Sequence, residues 1–308
     1  MGRSSKRGQY LIYIAAFMVL AVLLYLRLRS SAVEAFQEKQ VPKGIILQLI
    51  GGIGNQLYIY TAGKIMQKEL NVPIYLTVDN LSVFYHSQVD YRPLLFSDFE
   101  AINNDNPILN DKNDKIDARL QQAFWDPWSL GSLPSTDKYI HISSHWYQHI
   151  PSIEKGIPEV RDKITHIMRE RYSDSVVEPG SAFIHVRRGD YLNEGNKVYA
   201  LDNEYYSKGL MYLNKIDTIK NIYVFSDDIE WCKGQGWTSH KRFIYIDDPD
   251  ELKTLYMMSQ CTEGAIISNS TFSTWGVLLG TSTNRVIVYP SKWLYGAETA
   301  FPPSWIRI

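Results

Sequence analysis

The chain has 308 residues, 45% of them apolar and 21% charged, which matches globular proteins and allows one large domain or two ordinary ones. Its formal net charge of −1 excludes a global basic field of the kind that holds nucleic acid. The two cysteines, Cys232 and Cys261, form no CxxC pair, which argues against a structural zinc site; a single disulfide is open in an oxidising compartment, and free buried thiols are the other reading.

The N-terminus carries the clearest local signal. Arg3, Lys6 and Arg7 precede a run of 17 uncharged residues, 10–26, which Arg27 and Arg29 close. At about 1.5 Å per residue, a helix over this run nearly crosses a hydrocarbon core of about 30 Å, and snorkelling end residues supply the rest. We read residues 1–9 as a cytoplasmic tail, 10–28 as a transmembrane anchor and 29–43 as a polar stem. The alternative is a cleavable signal peptide ending at Ser30-Ser31-Ala32, but the apolar run is longer than a usual signal core. Three basic residues before the run against two after it orient the N-terminus to the cytoplasm. The expectation is a single-pass type II membrane protein of the Golgi or secretory pathway, with its bulk in the lumen.

Past the stem, 44–50 reads as a buried strand running into Gly51-Gly52-Ile53-Gly54 and a helix over 56–70, and 74–78 as a second strand. The Asn- and Asp-rich stretch 103–117 reads as loop, 139–142 as a short strand and 159–172 as a charged amphipathic helix. Ser173-Asp174-Ser175 and Pro179-Gly180-Ser181 punctuate a boundary, so the chain divides into lobes 44–178 and 179–308. In the second lobe, strands over 182–186, 222–226, 243–246, 265–268 and 286–289 alternate with helical patterns over 203–215, 251–261 and 271–279. Such alternation implies an α/β fold with a doubly wound parallel sheet, which takes ligands at the carboxyl ends of its strands.

Four motifs carry candidate chemistry. In Gly51-Gly52-Ile53-Gly54-Asn55-Gln56, Gly52 and Gly54 let backbone approach a ligand, the following helix offers N–H groups to an anion, and Asn55 and Gln56 supply amides for sugar hydroxyls or phosphate. The pattern is neither GxGxxG nor a P-loop, and it equally describes an ordinary strand-to-helix turn. The second motif is His185-Val186-Arg187-Arg188-Gly189-Asp190. Adjacent arginines at a strand end are costly unless they face an anion or a carboxylate, and an arginine's planar fork matches phosphate oxygens. Strand alternation puts His185 and Arg187 on one side and Arg188 on the other, so one arginine reaches a ligand while the other pairs with Asp190 or another acid. A surface salt-bridge cluster is the bland alternative. In Phe225-Ser226-Asp227-Asp228 the two acids can cap a helix, bind ribose hydroxyls or, lacking further ligands at an obvious spacing, less readily hold a divalent metal. The fourth motif, Ser268-Asn269-Ser270-Thr271-Phe272-Ser273-Thr274, ends a strand in small polar side chains where a helix begins, which makes a phosphate cradle; capping explains only one or two of the hydroxyls. Asn269-Ser270-Thr271 is also a glycosylation sequon, as is Asn80-Leu81-Ser82; a glycan would block the cradle, so Asn80 is the expected acceptor.

In this order the motifs resemble one family, the α-1,2-fucosyltransferases of the glycosyltransferase family 11 type. The resemblance rests on Gly51-Gly52-x-Gly54-Asn55-Gln56, His185-Val186-Arg187-Arg188-Gly189-Asp190-Tyr191, Phe225-Ser226-Asp227-Asp228-Ile229-Glu230-Trp231, Met258-Ser259-Gln260-Cys261 running on to Trp275-Gly276, and a tail from Val286 to Trp293. It implies a GT-B-like fold of two Rossmann-type lobes with parallel sheets, the first on the acceptor side and the second holding a nucleotide-sugar donor. It implies inverting, metal-independent transfer of fucose from GDP-fucose, with no cofactor, to the 2-hydroxyl of a terminal galactose on a glycan. By the same resemblance Arg187 holds the β-phosphate, His185 lies near the guanine, and Ser270, Thr271, Phe272 and Ser273 contact the phosphates. Arg188, Asp227, Asp228 and Thr254 complete the expected donor set. Asp190 is the candidate general base, unless it only holds Arg188. The chemistry agrees: a departing GDP needs fixed positive charge and N–H donors more than it needs a nucleophile.

Two departures stand out. Relatives carry at the position of Thr254 an Asp that pairs with guanine, so we expect Asp250 or Glu251, one helical turn earlier, to take over. A paired Trp before the glycine is here Thr274-Trp275. The acceptor side is less legible: Tyr85, His86, Trp125, Trp128, His145 and Trp146 can line a sugar site or simply pack. A binding-only or inactive relative, or a transferase using another nucleotide sugar, is the rival reading.

Overall fold

Strands that are apolar along their whole length need cover on both faces, and a parallel sheet between helices supplies it. The structure, a computed structural model, describes residues 18–20, 22–23, 40–77, 89–118, 127–143, 146–193, 199–237, 239–293 and 301–308. Residues 42–134 and 138–308 form one unit that carries two such sheets. Residues 1–41 with 135–137 form another, in which 18–20 and 22–23 are helical and exposed. Among the described residues no helix is long and apolar enough to cross a membrane. Most of the apolar run 10–26, and so the anchor expected there, lies outside the described residues.

The first sheet begins with β1 (Gly44–Gln48), whose Ile45, Ile46 and Leu47 are fully buried. The chain then crosses through α1 (Ile53–Leu70) to β2 (Ile74–Thr77). With β3 (Glu100–Ile102), β4 (Lys115–Ala118) and β5 (Tyr139–Ile142) the spatial order is β3-β2-β1-β5-β4, parallel throughout. Part of the stretch expected as loop is thus strand. As an edge, β4 needs only one partner, so its polar residues are tolerated; Asp117 meets the His141 ring at 2.8 Å across the pair. Helix α2 (Ile157–Arg171) presents Ile157, Val160, Ile164 and Met168 to the core at a spacing of three and four residues and carries the chain to the second lobe.

The second sheet is built from β6 (Ser181–Val186), β7 (Asn221–Ser226), β8 (Arg242–Ile246), β9 (Gly264–Ile266), β10 (Val286–Tyr289) and β11 (Ile306–Arg307). Their order is β11-β10-β9-β6-β7-β8, again parallel. Four helices interleave: α3 (Asn203–Leu213), α4 (Ile229–Gly234), α5 (Glu251–Gln260) and α6 (Thr271–Leu278). Alternation along β6 feeds two cores: Ala182, Ile184 and Val186 pack with α3 residues such as Tyr206 and Leu210, and Phe183 packs on the opposite face with Met258 and Val277. Cys232 lies in the first core and Cys261 in the second, both as free buried thiols, so the sheet separates them and no disulfide joins them.

The two lobes share apolar packing. Trp275 of α6 is fully buried in the core of the first lobe together with Leu252, Leu255 and Leu279, and it meets the Tyr58 ring edge-on at 5.4 Å. An aromatic of this size buries about 150–250 Å², on the order of 4–6 kcal/mol by area as an upper bound. This contact sets α6 against α1.

Candidate active site

Because both sheets are parallel, their helices start at the carboxyl ends of the strands, and the N-termini of α1 and α6 meet there. They border a cleft of about 760 Å³ lined from both lobes. At Gly54 the approach is so close that a Cβ would stand 2.6 Å from the backbone nitrogen of Phe272. The Thr271 hydroxyl donates to Asn55 Oδ1 at 2.9 Å, and Gln148 Nε2 donates to the same oxygen at 2.9 Å. Gly51 takes a positive φ of 72°, and the buried Gln56 holds that turn by donating Nε2 to the Gly51 carbonyl at 2.8 Å. Gly52 caps α1 with no side-chain bond of its own, leaving the first-turn N–H groups directed at the cleft. At α6, Ser270 accepts from the Phe272 N–H at 3.3 Å.

Arg187 enters this space from the end of β6. Its Nη2 donates to Asp190 Oδ1 at 2.6 Å, its Nη1 meets Asp227 Oδ2 at 2.8 Å, and its guanidinium lies 5.5 Å from the Tyr191 ring. Two carboxylates and a ring therefore fix the fork. Arg188, one residue on, points to the other side: its guanidinium stacks 4.1 Å from the Trp231 ring and its Nε donates to Asp228 Oδ2 at 3.0 Å. Asp190 thus holds Arg187, not Arg188, because a short 3-10 turn over Asp190–Leu192 folds back on the cleft side of the strand. Asp228 also caps α4 by accepting from the Trp231 N–H at 3.1 Å, and Asp227 accepts from the Arg188 N–H at 2.8 Å. Of the readings open for this acid pair, capping is made by Asp228, and both acids in addition pair with the arginines that follow β6. Among the described residues no group of three His, Cys, Asp or Glu side chains is placed to hold a metal ion.

His185 is buried in the cleft wall, with Nδ1 2.8 Å from Ser268 Oγ and its ring 5.6 Å from that of Phe272. Burial pushes its pKa down to about 3; Asp227 pulls the other way, and Arg187 beside it adds a smaller downward push. It is a neutral hydrogen-bonding group and a poor proton acceptor. Glu251 behaves in the opposite sense: burial, aided by Asp250 and opposed by Arg187, raises its carboxyl to about 7. Thr254, on the same helix, lines the cleft at 9% exposure.

The family model for glycosyl transferase family 11 matches residues 128–308, more than half of the chain. The chain belongs to glycosyl transferase family 11. Among curated relatives of this family 11 chain is the Escherichia coli O-antigen biosynthesis glycosyltransferase WbnK, 31% identical over 41% of this chain and 43% of that protein, so less than half of that relative's length is matched. An Escherichia coli alpha-1,2-colitosyltransferase is 25% identical over 86% of this chain and 98% of its own. Galactoside alpha-(1,2)-fucosyltransferase 2 of Gorilla gorilla gorilla is 28% identical over 42% of each chain. Among solved structures, NodZ alpha-1,6-fucosyltransferase soaked with GDP-fucose is similar with a TM-score of 0.48 and 10% identity, over 78% of this chain and 93% of that one.

Of the residues singled out in the sequence, Arg187, Asp190, His185, Asp227, Thr254, Ser270, Thr271, Phe272, Gly52, Gly54 and Asn55 come together on the cleft. Arg188 and Asp228 face the Trp231 side, and Gln56 and Ser273 are buried away from the cleft; the Ser273 hydroxyl donates to the Ser270 carbonyl at 3.1 Å. Sequence reading missed Tyr191 as a cleft residue and missed the acids after β8, Asp247 and Asp248. Their signal was present: acids directly after a strand, the pattern already noted at Asp227-Asp228. Asn269 is buried, with Nδ2 donating to the carbonyls of Tyr199 and Trp293, so it offers no glycan site. Trp128 packs edge-on with Tyr147 in the core, and Trp146 stands against Gly51. Asn80, Tyr85, His86, Trp125 and His145 lie outside the described residues.

Proposed function

We propose that this chain transfers L-fucose from GDP-fucose to the 2-hydroxyl of a terminal galactose on a glycan, with inversion and without a metal or other cofactor. The observation that carries the reading is Arg187, fixed on a cleft between two helix N-termini in a family 11 chain. N–H groups at helix starts and a guanidinium fork are the donors that a departing diphosphate requires. Arg187 takes the β-phosphate, and Asp190 and Asp227 position it. The names of the relatives support α-1,2 transfer of a deoxy sugar. His185 supplies a neutral hydrogen-bonding wall. The acceptor lies on the side of the first lobe, and an N-terminal anchor in the secretory pathway belongs to the same reading.

A second donor is favoured by one observation: the relative matched over nearly its whole length is named for colitose, which is fucose lacking its 3-hydroxyl. Incubating the protein with labelled GDP-fucose and GDP-colitose against a panel of galactosides tests both. Transfer from GDP-fucose that is lost in Arg187→Ala supports the proposal. Hydrolysis or transfer that survives Arg187→Ala, or no turnover of any nucleotide sugar, removes it.

A further inference from the structure

The loop after β5 belongs to none of the four sequence motifs, yet it reaches the start of α1 at two points. The Trp146 ring stands against Gly51, 2.8 Å from where a Cβ would lie, and Gln148 Nε2 donates to Asn55 Oδ1 at 2.9 Å. Between these two residues Tyr147 takes a φ of 54°. Among the described residues only Asn71 shares a positive φ without being glycine, and Asn71 is the C-cap of α1, where the left-handed region is usual. For a bulky aromatic residue the conformation is costly and persists only where its surroundings enforce it. Tyr147 is 1% exposed and packs edge-on against Trp128. On the other side, His149 caps the short helix Ile150–Ile153 by accepting from the Ser152 N–H at 3.2 Å, and Ile150 and Ile153 are buried. The backbone of Gln148 is therefore held from both sides.

What this fixes is the polarity of the Asn55 amide. Its Oδ1 has two lone pairs; the Gln148 N–H takes one and the Thr271 hydroxyl, also at 2.9 Å, takes the other. Nδ2 fills the space that a Gly51 side chain would need, on the cleft, and meets no acceptor among the described residues. Thr271 alone would not set this orientation, because a hydroxyl donates or accepts as its neighbour requires. With the Gln148 N–H on Oδ1, the side-chain groups that Asn55 turns to the cleft are donors. They stand beside the first-turn N–H groups of α1, which have no internal partner. The opposite arrangement, with Nδ2 donating to Gln148 and Oδ1 toward the cleft, would set an acceptor lone pair among those donors and against an anionic ligand.

We propose that Gln148 is a positioning residue of the transfer reaction: it locks the Asn55 amide so that its N–H groups, and not its oxygen, meet an oxygen of the nucleotide sugar. The role rests on the nucleotide-sugar reading above. Gln148 does not line the cleft, so it acts through Asn55. The strained turn at Tyr147 keeps it within reach.

The test is a double-mutant cycle between positions 148 and 55 in the full chain, read as kcat/KM for transfer from labelled GDP-fucose, with thermal unfolding of each variant. Gln148→Glu keeps the size of the side chain but offers an ionised carboxylate, which accepts from Asn55 Nδ2 and turns Oδ1 to the cleft. It should lower kcat/KM by about 10–100-fold while the melting temperature stays near that of wild type. Asn55→Ala should fall as far, and adding Gln148→Glu to it should change nothing further, since no amide is left to turn. Relative to wild type, the loss in Gln148→Glu should shrink as pH falls through the range of the introduced carboxyl, whose protonated O–H donates to Oδ1 again. Gln148→Ala, which adds no charge, carries the same cycle with a loss of a few-fold should Gln148→Glu fail to fold. Wild-type kcat/KM in the folded variant overturns the inference. So does a loss that is equal with and without Asn55, or that ignores the pH range of the carboxyl, because either marks a general effect on packing. Those results come from an active wild type and leave the proposed function standing. A wild type that turns over no nucleotide sugar removes the proposed function and this role together.

Discussion

Gly54→Ala is the substitution that most directly probes how the lobes build the cleft. Its Cβ would stand 2.6 Å from both the Phe272 nitrogen and the Thr271 carbonyl carbon, where ordinary contact begins at 3.4 Å. The obstacle is backbone, so no side-chain rotation relieves it. The N-terminus of α6 must retreat from α1 by roughly 1 Å. Two effects compete. Alanine for glycine inside a helix stabilises by roughly 0.5–1 kcal/mol, whereas forcing an extra carbon into tight packing costs about 1–3 kcal/mol. Overpacking wins, and it also stretches the Thr271–Asn55 hydrogen bond, now 2.9 Å. A displacement of about 1 Å at reacting groups costs on the order of 10²-fold. We expect a lower melting temperature and a kcat/KM about a hundredfold below wild type, read by thermal unfolding and by transfer from labelled donor. Gly63→Ala is the control: its Cβ meets side chains, Phe99 at 2.8 Å and Leu47 at 3.0 Å, in the core of the first lobe. It should lose stability and keep kcat/KM. Wild-type kcat/KM in a folded Gly54→Ala protein would refute the idea that this contact sets the site.

Arg187→Ala should lower kcat/KM by at least about 10²–10³-fold, and Arg187→Lys should recover little, since one ammonium cannot span Asp190 and Asp227 as the fork does; steady-state kinetics of both variants decide it. Arg188→Ala should act on stability, by about 1–3 kcal/mol in denaturant unfolding, and leave the donor KM nearly unchanged, because its contacts are Trp231 and Asp228 outside the cleft. The raised Glu251 carboxyl, at about 7, links stability to pH. A carboxyl raised above its ordinary value keeps its proton in the folded state, so this contribution declines as pH rises from the ordinary range through about 7, and Glu251→Gln should remove the slope seen in melting curves across pH.

What could be read from the sequence follows from what physical signal each feature leaves. Strands such as β1 and β6 are buried on both faces and announce themselves as apolar runs, and the alternation of β6 alone placed His185 and Arg187 opposite Arg188. Strand β4 left no such signal, because an edge strand tolerates Lys115 and Asp117. Strand β11 has two residues, too few for any period. In the site, the arginine pair was legible because adjacent charges at a strand end demand partners. Which partner each arginine takes was not, since the backward fold at Asp190–Leu192 is a turn without periodicity. Gln56 and Ser273 looked like ligand groups by type, but the backbone acceptors of Gly51 and Ser270 use them. Competition between a ligand and nearby backbone for one polar side chain is a tertiary matter.

The charge around Arg187 shows where the grip on a diphosphate must come from. One guanidinium stands against the carboxylates of Asp190 and Asp227, so the ion cluster by itself is not a positive site. Each helix start contributes about half a positive charge through N–H groups without internal partners. The starts of α1 and α6 together therefore offset the excess carboxylate. The arginine is in effect an orienting fork: the acids hold its direction, and its Nη groups keep a geometry suited to phosphate oxygens. The field that stabilises the leaving group then depends on two backbone ends lying side by side, and that is a property of the Gly54 contact and of the buried Trp275 behind it. Thus Gly54→Ala, which changes no charge, should impair transfer nearly as much as loss of a hydrogen-bond donor from the site.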